Sequence, residues 1–573
     1  MDNKELTVLC INDGKNHKTE LGTTLLELSQ KFCKTVREDK TGRKLDVLAA
    51  LVDNQLKDLN YKVSELKQIQ FVGYDHPEGR RTYIRSLSFV LQKAVGELYP
   101  DKMLLIDHSL PSGLYCEIQD PVKTDDGRFK THFLRDEEID AIRDRMKEII
   151  AQDIPFTKKR MDADKACEIF VNNGMPLKAE LQKSLGVFYC NVYYLGDRAD
   201  SFHGPLCPST GFLKSFDLIG VGSGICLQYP LINDFSRLMP IKRQTKIAGA
   251  LKEHSDWCSI IGVRGIGSLN STIKSGNAVQ MINMAESLQE RNYARIADKI
   301  YESRATKKIV MIAGPSSSGK TSSSLRIAMQ CRVLGLTPKV IELDNYFVDR
   351  EKTPKDEDGQ LDFESLYAMD LDFLNMQLNQ LLAGEEVEIP KYDFKNGCRT
   401  FVGNRIKLEE NDILIMEGIH ALNPEMTSAV DDSRIFRVYV SALTSLNIDE
   451  NNTISTSDNR LLRRMIRDNR VRGIIPEETI LRWYSVRRGE SRNIFPFQEN
   501  ADAIFNSALI FELPMLKYYA EPLLRRISPN SPAYAEACRL LKFLEYIVAL
   551  HPDEISAIPP TSIMREFIGG QTL

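Results

Sequence analysis

The chain has 573 residues, too many for one hydrophobic core, so its length predicts two to four domains. Hydrophobic residues at 42%, charged residues at 27% and a net charge of -4 describe an ordinary soluble balance and exclude a chain generally coated by a polyanion. No apolar run approaches the ~18 residues of a membrane span, and Met1, Asp2, Asn3, Lys4 and Glu5 lack a signal peptide's apolar core, so a cytoplasmic protein is expected.

In chain order, residues 6–11 read as a strand and Asn12, Asp13 and Gly14 as a hairpin turn into a second strand. Residues 24–32 predict a helix with Leu25, Leu26, Leu28 and Phe32 inward, and residues 47–52 and 68–72 complete a small β-grasp unit. Two later segments stand out, Arg85-Ser-Leu-Ser-Phe89 and the stretch from Tyr194 to Gly211 that holds Phe202, His203, Leu206 and Cys207. Residues 241–301 read as a helical connector, with Met281, Met284, Ala285, Leu288 and Ala294 on a packing face.

Residues 1–73 resemble the TGS domain of threonyl-tRNA synthetases, and residues 74–240 resemble that family's second N-terminal domain, which edits. Arg85 and Phe89 lie over the family's H-S-x-x-H helix, and Phe202 and Leu206 over its C-x-G-P-H segment. The metal-binding and catalytic groups are therefore replaced, and the resemblance implies an editing scaffold without editing chemistry. His203 and Cys207 stand one residue from vacated positions, a shift that turns a side chain elsewhere. RNA is a conceivable partner for this half, but no polybasic or aromatic-rich stripe in residues 1–240 supports it. A role in dimerisation or allostery stays open.

The strongest motif follows. Ile309, Val310, Met311, Ile312 and Ala313 read as a buried strand, and Gly314-Pro-Ser316-Ser317-Ser318-Gly319-Lys320-Thr321 fits the phosphate loop G-x-x-x-x-G-K-[ST]. The glycines let the backbone curl its N–H groups around a phosphate at the start of a helix that begins near Ser322. That helix is expected to bury Leu325, Ala328, Met329 and Val333. Lys320 would reach the β- and γ-phosphates of a nucleoside triphosphate, and the Thr321 hydroxyl would sit on Mg²⁺. Two further short strands end in acids, Asp344 and Glu417, able to hold Mg²⁺ or take a proton from a hydroxyl.

Arg460, Arg463, Arg464 and Arg467 share one helix face, opposite Leu461, Leu462, Met465 and Ile466. With residues 449–457 read as a mobile hinge, this helix is expected to close as a lid over phosphates. Ala537, Leu540, Leu541, Phe543, Leu544 and Ile547 predict a C-terminal helix. Eleven scattered cysteines without a C-x-x-C pair, and eight scattered histidines, predict reduced thiols and no zinc ribbon.

Residues 305–475 resemble the uridine kinase/phosphoribulokinase family, on the phosphate loop, Asp344-Asn-Tyr346-Phe347, Pro390-Lys-Tyr392-Asp393-Phe394, Glu417-Gly418-Ile419 and the arginine helix. The resemblance implies an α/β P-loop kinase domain over 302–573, with a mostly parallel sheet and helices on both faces. It implies ATP as donor and Mg²⁺ on Thr321, Glu417 and Asp344. Asp344 would be the general base on a nucleoside 5′-hydroxyl, and Arg463, Arg464 and Arg467 would clamp phosphates. Tyr392 would flank the base, and an acid of residues 362–370, with Asp370 first, would bind ribose beside Tyr346 and Arg399. Gly397 stands where uridine kinases carry a base-reading histidine, so the accepted base can differ. The expectation is a nucleoside kinase for uridine or cytidine. The alternatives are a purine nucleoside, another small sugar, or an ATP-switched RNA-binding protein. ATP against GTP as donor, and a homo-oligomer, stay open.

Overall fold

In the computed structural model, residues 5–39, 42–123, 129–232, 234–242, 244–355, 359 and 361–573 are described. The alternation around Val8 and Cys10 in β1 (Glu5–Cys10) puts one face inward, and Gly14, at φ 69°, turns the chain into β2 (Lys15–Glu20). Thr24 and Glu27 form a reciprocal capping box that starts α1 (Leu25–Phe32). With β3 (Ala49–Val52), β4 (Gln55–Lys57) and β5 (Lys67–Val72) the sheet order is β2-β1-β5-β3-β4, and β1 and β5 are parallel. The helix covers one face of this sheet, as the β-grasp reading expected.

Helix α2 (Pro77–Leu98) then leads into a second sheet of β6 (Met103–Leu110), β7 (Gly113–Lys123) and β8 (Phe129–Thr131), completed later in the chain by β12 (Asp217–Val221) and β13 (Gly224–Gln228), with α3 (Asp136–Ala151) packed against it. A three-stranded sheet follows from β9 (Thr157–Asp162), β10 (Tyr189–Leu195) and β11 (Arg198–Asp200), covered by α4 (Ala163–Asn172) and α5 (Pro176–Leu185). The positions Phe89 and Phe202 form a ring contact at 5.3 Å, and the buried Arg85 donates to the Pro205 carbonyl at 3.1 Å. Apolar packing surrounds Phe89, Phe202 and Leu206, and the guanidinium of Arg85 is trapped. His203 faces Asn452 at 3.4 Å, and burial pushes the Cys207 thiol up to about 12.

The connector is helical, with α6 (Thr245–Ile260), α7 (Ile266–Lys274) and α8 (Ala278–Ser303). Its inward face differs from the expected one. Met281, Ile282, Ala285, Tyr293, Ile296 and Ile300 are buried, while Met284 is exposed, because α8 packs onto two partners and its buried stripe rotates along its length.

The last sheet is five parallel strands in the order β15-β16-β14-β17-β18. These are β14 (Ile309–Ala313), β15 (Thr337–Glu342), β16 (Asp412–Glu417), β17 (Ile435–Ser441) and β18 (Ala503–Asn506). The central strands are buried on both faces, which is why they read as continuous apolar runs. Helix α9 (Lys320–Val333) buries Ser322, Ser323, Ile327, Ala328 and Cys331, whereas Met329 and Val333 are exposed, contrary to the expected face. Small serines near its start let it lie close to the sheet, and this turns the buried stripe.

Helices α11 (Thr456–Arg472), α12 (Pro476–Asn493), α13 (Glu512–Leu524) and α14 (Tyr534–Glu545) share a further core with α7. Among the described residues no helix is long and apolar enough to cross a membrane.

Candidate active site

Three turns of chain converge beyond the ends of β14, β15 and β16. The loop after β14 curls because Ser317 and Gly319 take φ of 57° and 84°. A Cβ on Gly314 would stand 2.0 Å from the Val440 carbonyl oxygen, so only glycine fits there. Lys320 opens α9, placing the helix N-terminus behind the loop. The Thr321 hydroxyl donates to Glu417 Oε1 at 2.8 Å, and Ser322 donates to Glu566 at 2.6 Å.

Asp344 sits in the short 3-10 turn that follows β15. Burial lifts its carboxyl above the usual range against the pull of Lys320, and Glu342 pushes the same way. Glu417 is likewise raised by burial and opposed by Lys320 and the Thr321 hydroxyl. Lys320, Thr321, Asp344 and Glu417 thus share one electrostatic neighbourhood. Thr321, Asp344 and Glu417 are hard oxygen donors of the kind Mg²⁺ takes, so the residues fit that ion.

Glu364 belongs to the same neighbourhood. Burial pushes it up to about 7, Glu490 adds to the rise, and Arg464 and Lys320 oppose it. It lies in the stretch expected to supply a ribose-binding acid, but as a different residue from Asp370. Asp370 instead caps α10 (Leu371–Leu382) and pairs with Arg399 at 2.6 Å. That pairing brings two expected substrate residues together. Tyr392 packs its ring 5.6 Å from Phe347 and 5.1 Å from Phe394, and Phe363 meets Phe347 edge-on at 6.3 Å. An aromatic wall therefore begins three residues after Asp344. Tyr346 does not join it, because its buried hydroxyl donates to Gln377 at 2.8 Å in the core.

Gly397 has φ 71°, and a Cβ there would stand 2.7 Å from Arg350 Nε. Arg350 donates its backbone N–H to the Gly397 carbonyl at 2.8 Å and its guanidinium to Phe394 O at 2.6 Å. The space beside the turn belongs to Arg350.

The arginine helix departs most from expectation. Arg463 is wholly buried, held by Glu512 and by the Ser507 carbonyl at 2.9 Å, with its Nη1 3.4 Å from Ser317 O. Arg460 makes a two-pronged pair with Glu490 and donates to Ser316 O at 3.0 Å. These two guanidinium groups hold the loop backbone and do not face its cradle. Arg464 donates to the Ser316 hydroxyl at 2.9 Å, and Arg467 pairs with Asp468 at 3.2 Å, both partly exposed.

The segment before this helix is no loose hinge. Asp449, Glu450, Asn451 and Asn452 are buried, with Glu450 accepting the Leu177 and Lys178 backbone N–H groups. Lys178 Nζ pairs with Asp200 and lies 3.4 Å from Asp449. Polar composition suggested solvent, but the partners lie more than 240 residues away in the chain. The start of α11 is also tied down, since Arg539 pairs with Asp458 at 2.7 Å and Arg81 with Glu536 at 2.9 Å.

Two surface groupings were missed because pairing creates them. Lys158, Lys159 and Arg160 on β9 lie over the rings of Tyr193, Tyr194 and Tyr189 at 5.6, 5.2 and 4.7 Å. The β1–β2 turn gathers Cys10, Asp13 and His17 within 4.8 Å, with His17 Nε2 2.7 Å from Asp13.

Residues 309–510 match the profile described as the Phosphoribulokinase / Uridine kinase family. The N-terminal region is similar to threonine–tRNA ligases. The chain is 28% identical over 218 residues to that of Desulforamulus reducens, covering 37% of this chain and 31% of the ligase. The chain thus spans about a third of the length of the curated relatives it matches. Among solved structures, a putative fructose transport system kinase from a Silicibacter species aligns at 16% identity with a TM-score of 0.27. It covers 37% of this chain and 98% of that one. A possible uridine kinase from Bacillus stearothermophilus aligns at 19% identity and a TM-score of 0.24, covering 35% of this chain and 89% of that one.

Proposed function

We propose that this chain is a small-molecule kinase that transfers the γ-phosphoryl group of ATP to the 5′-hydroxyl of a nucleoside, with uridine or cytidine first. We propose the matching division into residues 1–73, 74–240, 241–301 and 302–573, the last carrying the reaction. The observation that supports this reading is that Asp344 shares the electrostatic neighbourhood of Lys320 and Glu417 and lies three residues before Phe347, whose ring meets Tyr392 and Phe363.

In this mechanism the loop amides from Ser317 to Thr321 and the Lys320 ammonium hold the β- and γ-phosphates. The aromatic wall takes the base, and the polar edge at Glu364 or the Asp370–Arg399 pair takes ribose hydroxyls. Asp344 accepts the proton of the 5′-hydroxyl as its oxygen bonds to the γ-phosphorus and the bond to ADP breaks. Burial raises its pKa above the ordinary carboxylate value, which makes it the stronger base. Thr321, Glu417 and Asp344 would hold Mg²⁺, which supplies neutralisation of phosphate charge when bound. Arg464 and Arg467 remain the guanidinium groups able to turn toward phosphate.

The test is nucleoside-dependent ADP release by the full chain, with the monophosphate identified by mass. Release without an acceptor-dependent product would overturn the reading. A second reading, RNA contact by the N-terminal half, is favoured by the cation–ring pairs on β9 and β10. Lys159→Glu with Arg160→Glu should abolish a salt-dependent tRNA mobility shift of the full chain, and no shift in the parent chain would end that reading.

A further inference from the structure

Between the outer face of the second sheet and helix α6 lies a cavity of about 800 Å³, distant in sequence from the phosphate loop. Its floor carries Leu105, Tyr115, Glu117 and Phe129, and its roof is the face of α6 that bears Ala248, Gly249, Lys252 and Ser255. Strand pairing sets Leu105 opposite Glu117 and His108 opposite Tyr115. Small-molecule sites run to roughly 300–1,000 Å³, so this space suits a nucleotide better than an ion or a single amino acid.

The floor is built to accept hydrogen bonds. Glu117 receives the Tyr115 hydroxyl at 3.1 Å, the Gln119 amide at 3.0 Å and the Thr131 hydroxyl at 3.1 Å. A carboxylate has about four acceptor positions, so three fixed donors orient it and leave capacity for one more. Beside it, Asp107 holds His108 Nδ1 at 2.8 Å, while Nε2 of this nine-tenths buried ring has no partner. In the tautomer that donates to Asp107, Nε2 is a second acceptor. The rings of Tyr115 and Phe129 offer flat apolar surface, and Lys242, Lys252 and Arg264 bring positive charge to the walls. Arg264 lies 5.2 Å from the Phe129 ring centre.

We propose that this cavity binds a nucleotide, with the N–H donors of a planar base on Glu117 and His108 and the phosphate on the Lys242, Lys252 and Arg264 side. The site stands independently of the reading of the phosphate loop, yet it touches the segment that leads there. Asn447 and Glu450 close one end of the cavity. Asn447 donates to the Ile106 and Asp107 carbonyls at 3.1 and 2.8 Å, and Ile106 donates to Glu450 O at 2.8 Å. The same segment runs into α11, whose Arg460 and Arg464 grip Ser316. A nucleotide seated on β6 and β7 therefore bears on the residues that position the loop.

The experiment is hydrogen–deuterium exchange of the full chain with AMP, GMP, CMP and UMP, and in separate arms with ribose 5-phosphate, adenine and uracil. At least one monophosphate should protect residues 103–123, 245–260 and 445–452, and the base and sugar phosphate alone should bind at least tenfold more weakly. Glu117→Gln should weaken binding by about tenfold or more, the loss expected for a charged acceptor. A Cβ at Gly249 meets nothing within 4 Å, so Gly249→Phe fills the space from a helix surface and should abolish the protection without unfolding the chain. Lys320→Ala should leave it intact. No protection by any monophosphate, protection that survives Gly249→Phe, equal binding of a fragment, or protection confined to the phosphate loop would each overturn the proposal.

Discussion

Glu490 accepts the backbone N–H of Ser316 at 2.9 Å while its carboxylate is locked onto Arg460. A side chain from α12 therefore occupies an amide of the loop that would otherwise point at phosphate. Both charges of the pair are buried, so removing one strands the other. Glu490→Ala is expected to lower stability by about 3–5 kcal/mol, and adding Arg460→Met should recover most of that loss. Denaturant unfolding of the single and double variants checks it. An unchanged midpoint for Glu490→Ala contradicts the assignment.

Asp344→Asn keeps the shape of the turn and removes the proton acceptor. Turnover is expected to fall by about 10²–10⁴-fold, while ATP affinity stays within about twofold of the parent. Single-turnover transfer and nucleotide binding measured on the same preparation separate the two effects.

Glu450 supplies a pH dependence. Burial and the neighbouring Asp449 push its carboxyl up to about 8, although Lys178 and the Leu177 N–H oppose the rise. The folded protein therefore binds this proton more tightly than the unfolded chain. Stability should fall as pH rises from about 4.5 to about 8, by on the order of 5 kcal/mol at most. Asp200, raised to about 6, adds in the same direction over a lower window. Glu450→Gln should flatten the slope between pH 6 and 8 in thermal unfolding. An equal slope in both proteins counts against it.

Gly397→His would not restore a base-reading histidine. The left-handed φ and the Arg350 side chain both oppose a Cβ, so the variant should lose about 1–3 kcal/mol. Its nucleoside preference should remain that of the parent. Arg350→Ala, which opens the space beside the Gly397 turn without backbone strain, is expected to shift the preference across a nucleoside panel.

Much of this architecture was legible in the chain itself. The phosphate loop could be read because its glycines and its strand–helix setting follow from local geometry, and β14 and β16 because burial on both faces leaves no alternation. What could not be read depends on distant partners. Residues 449–452 look like a solvated hinge until Leu177, Lys178 and Asp200 arrive to bury them. Arg463 shares a helix face with Arg464, yet Glu512 claims it because α13 packs on that side of α11. Spacing gives a face, and only packing tells which residue of the face meets solvent. Glu364 carried no motif at all, and its raised pKa comes first from burial, with Glu490, more than 120 residues onward, adding to it.

The central claim is phosphoryl transfer to a nucleoside. The most direct measurement is ADP release with Mg-ATP across uridine, cytidine, adenosine, guanosine, inosine, thymidine and ribulose 5-phosphate, with Lys320→Ala as the blank. The account predicts ADP release that depends on a nucleoside, most with uridine or cytidine, and a monophosphate product of matching mass. ATP binding with no stimulation by any acceptor would contradict it.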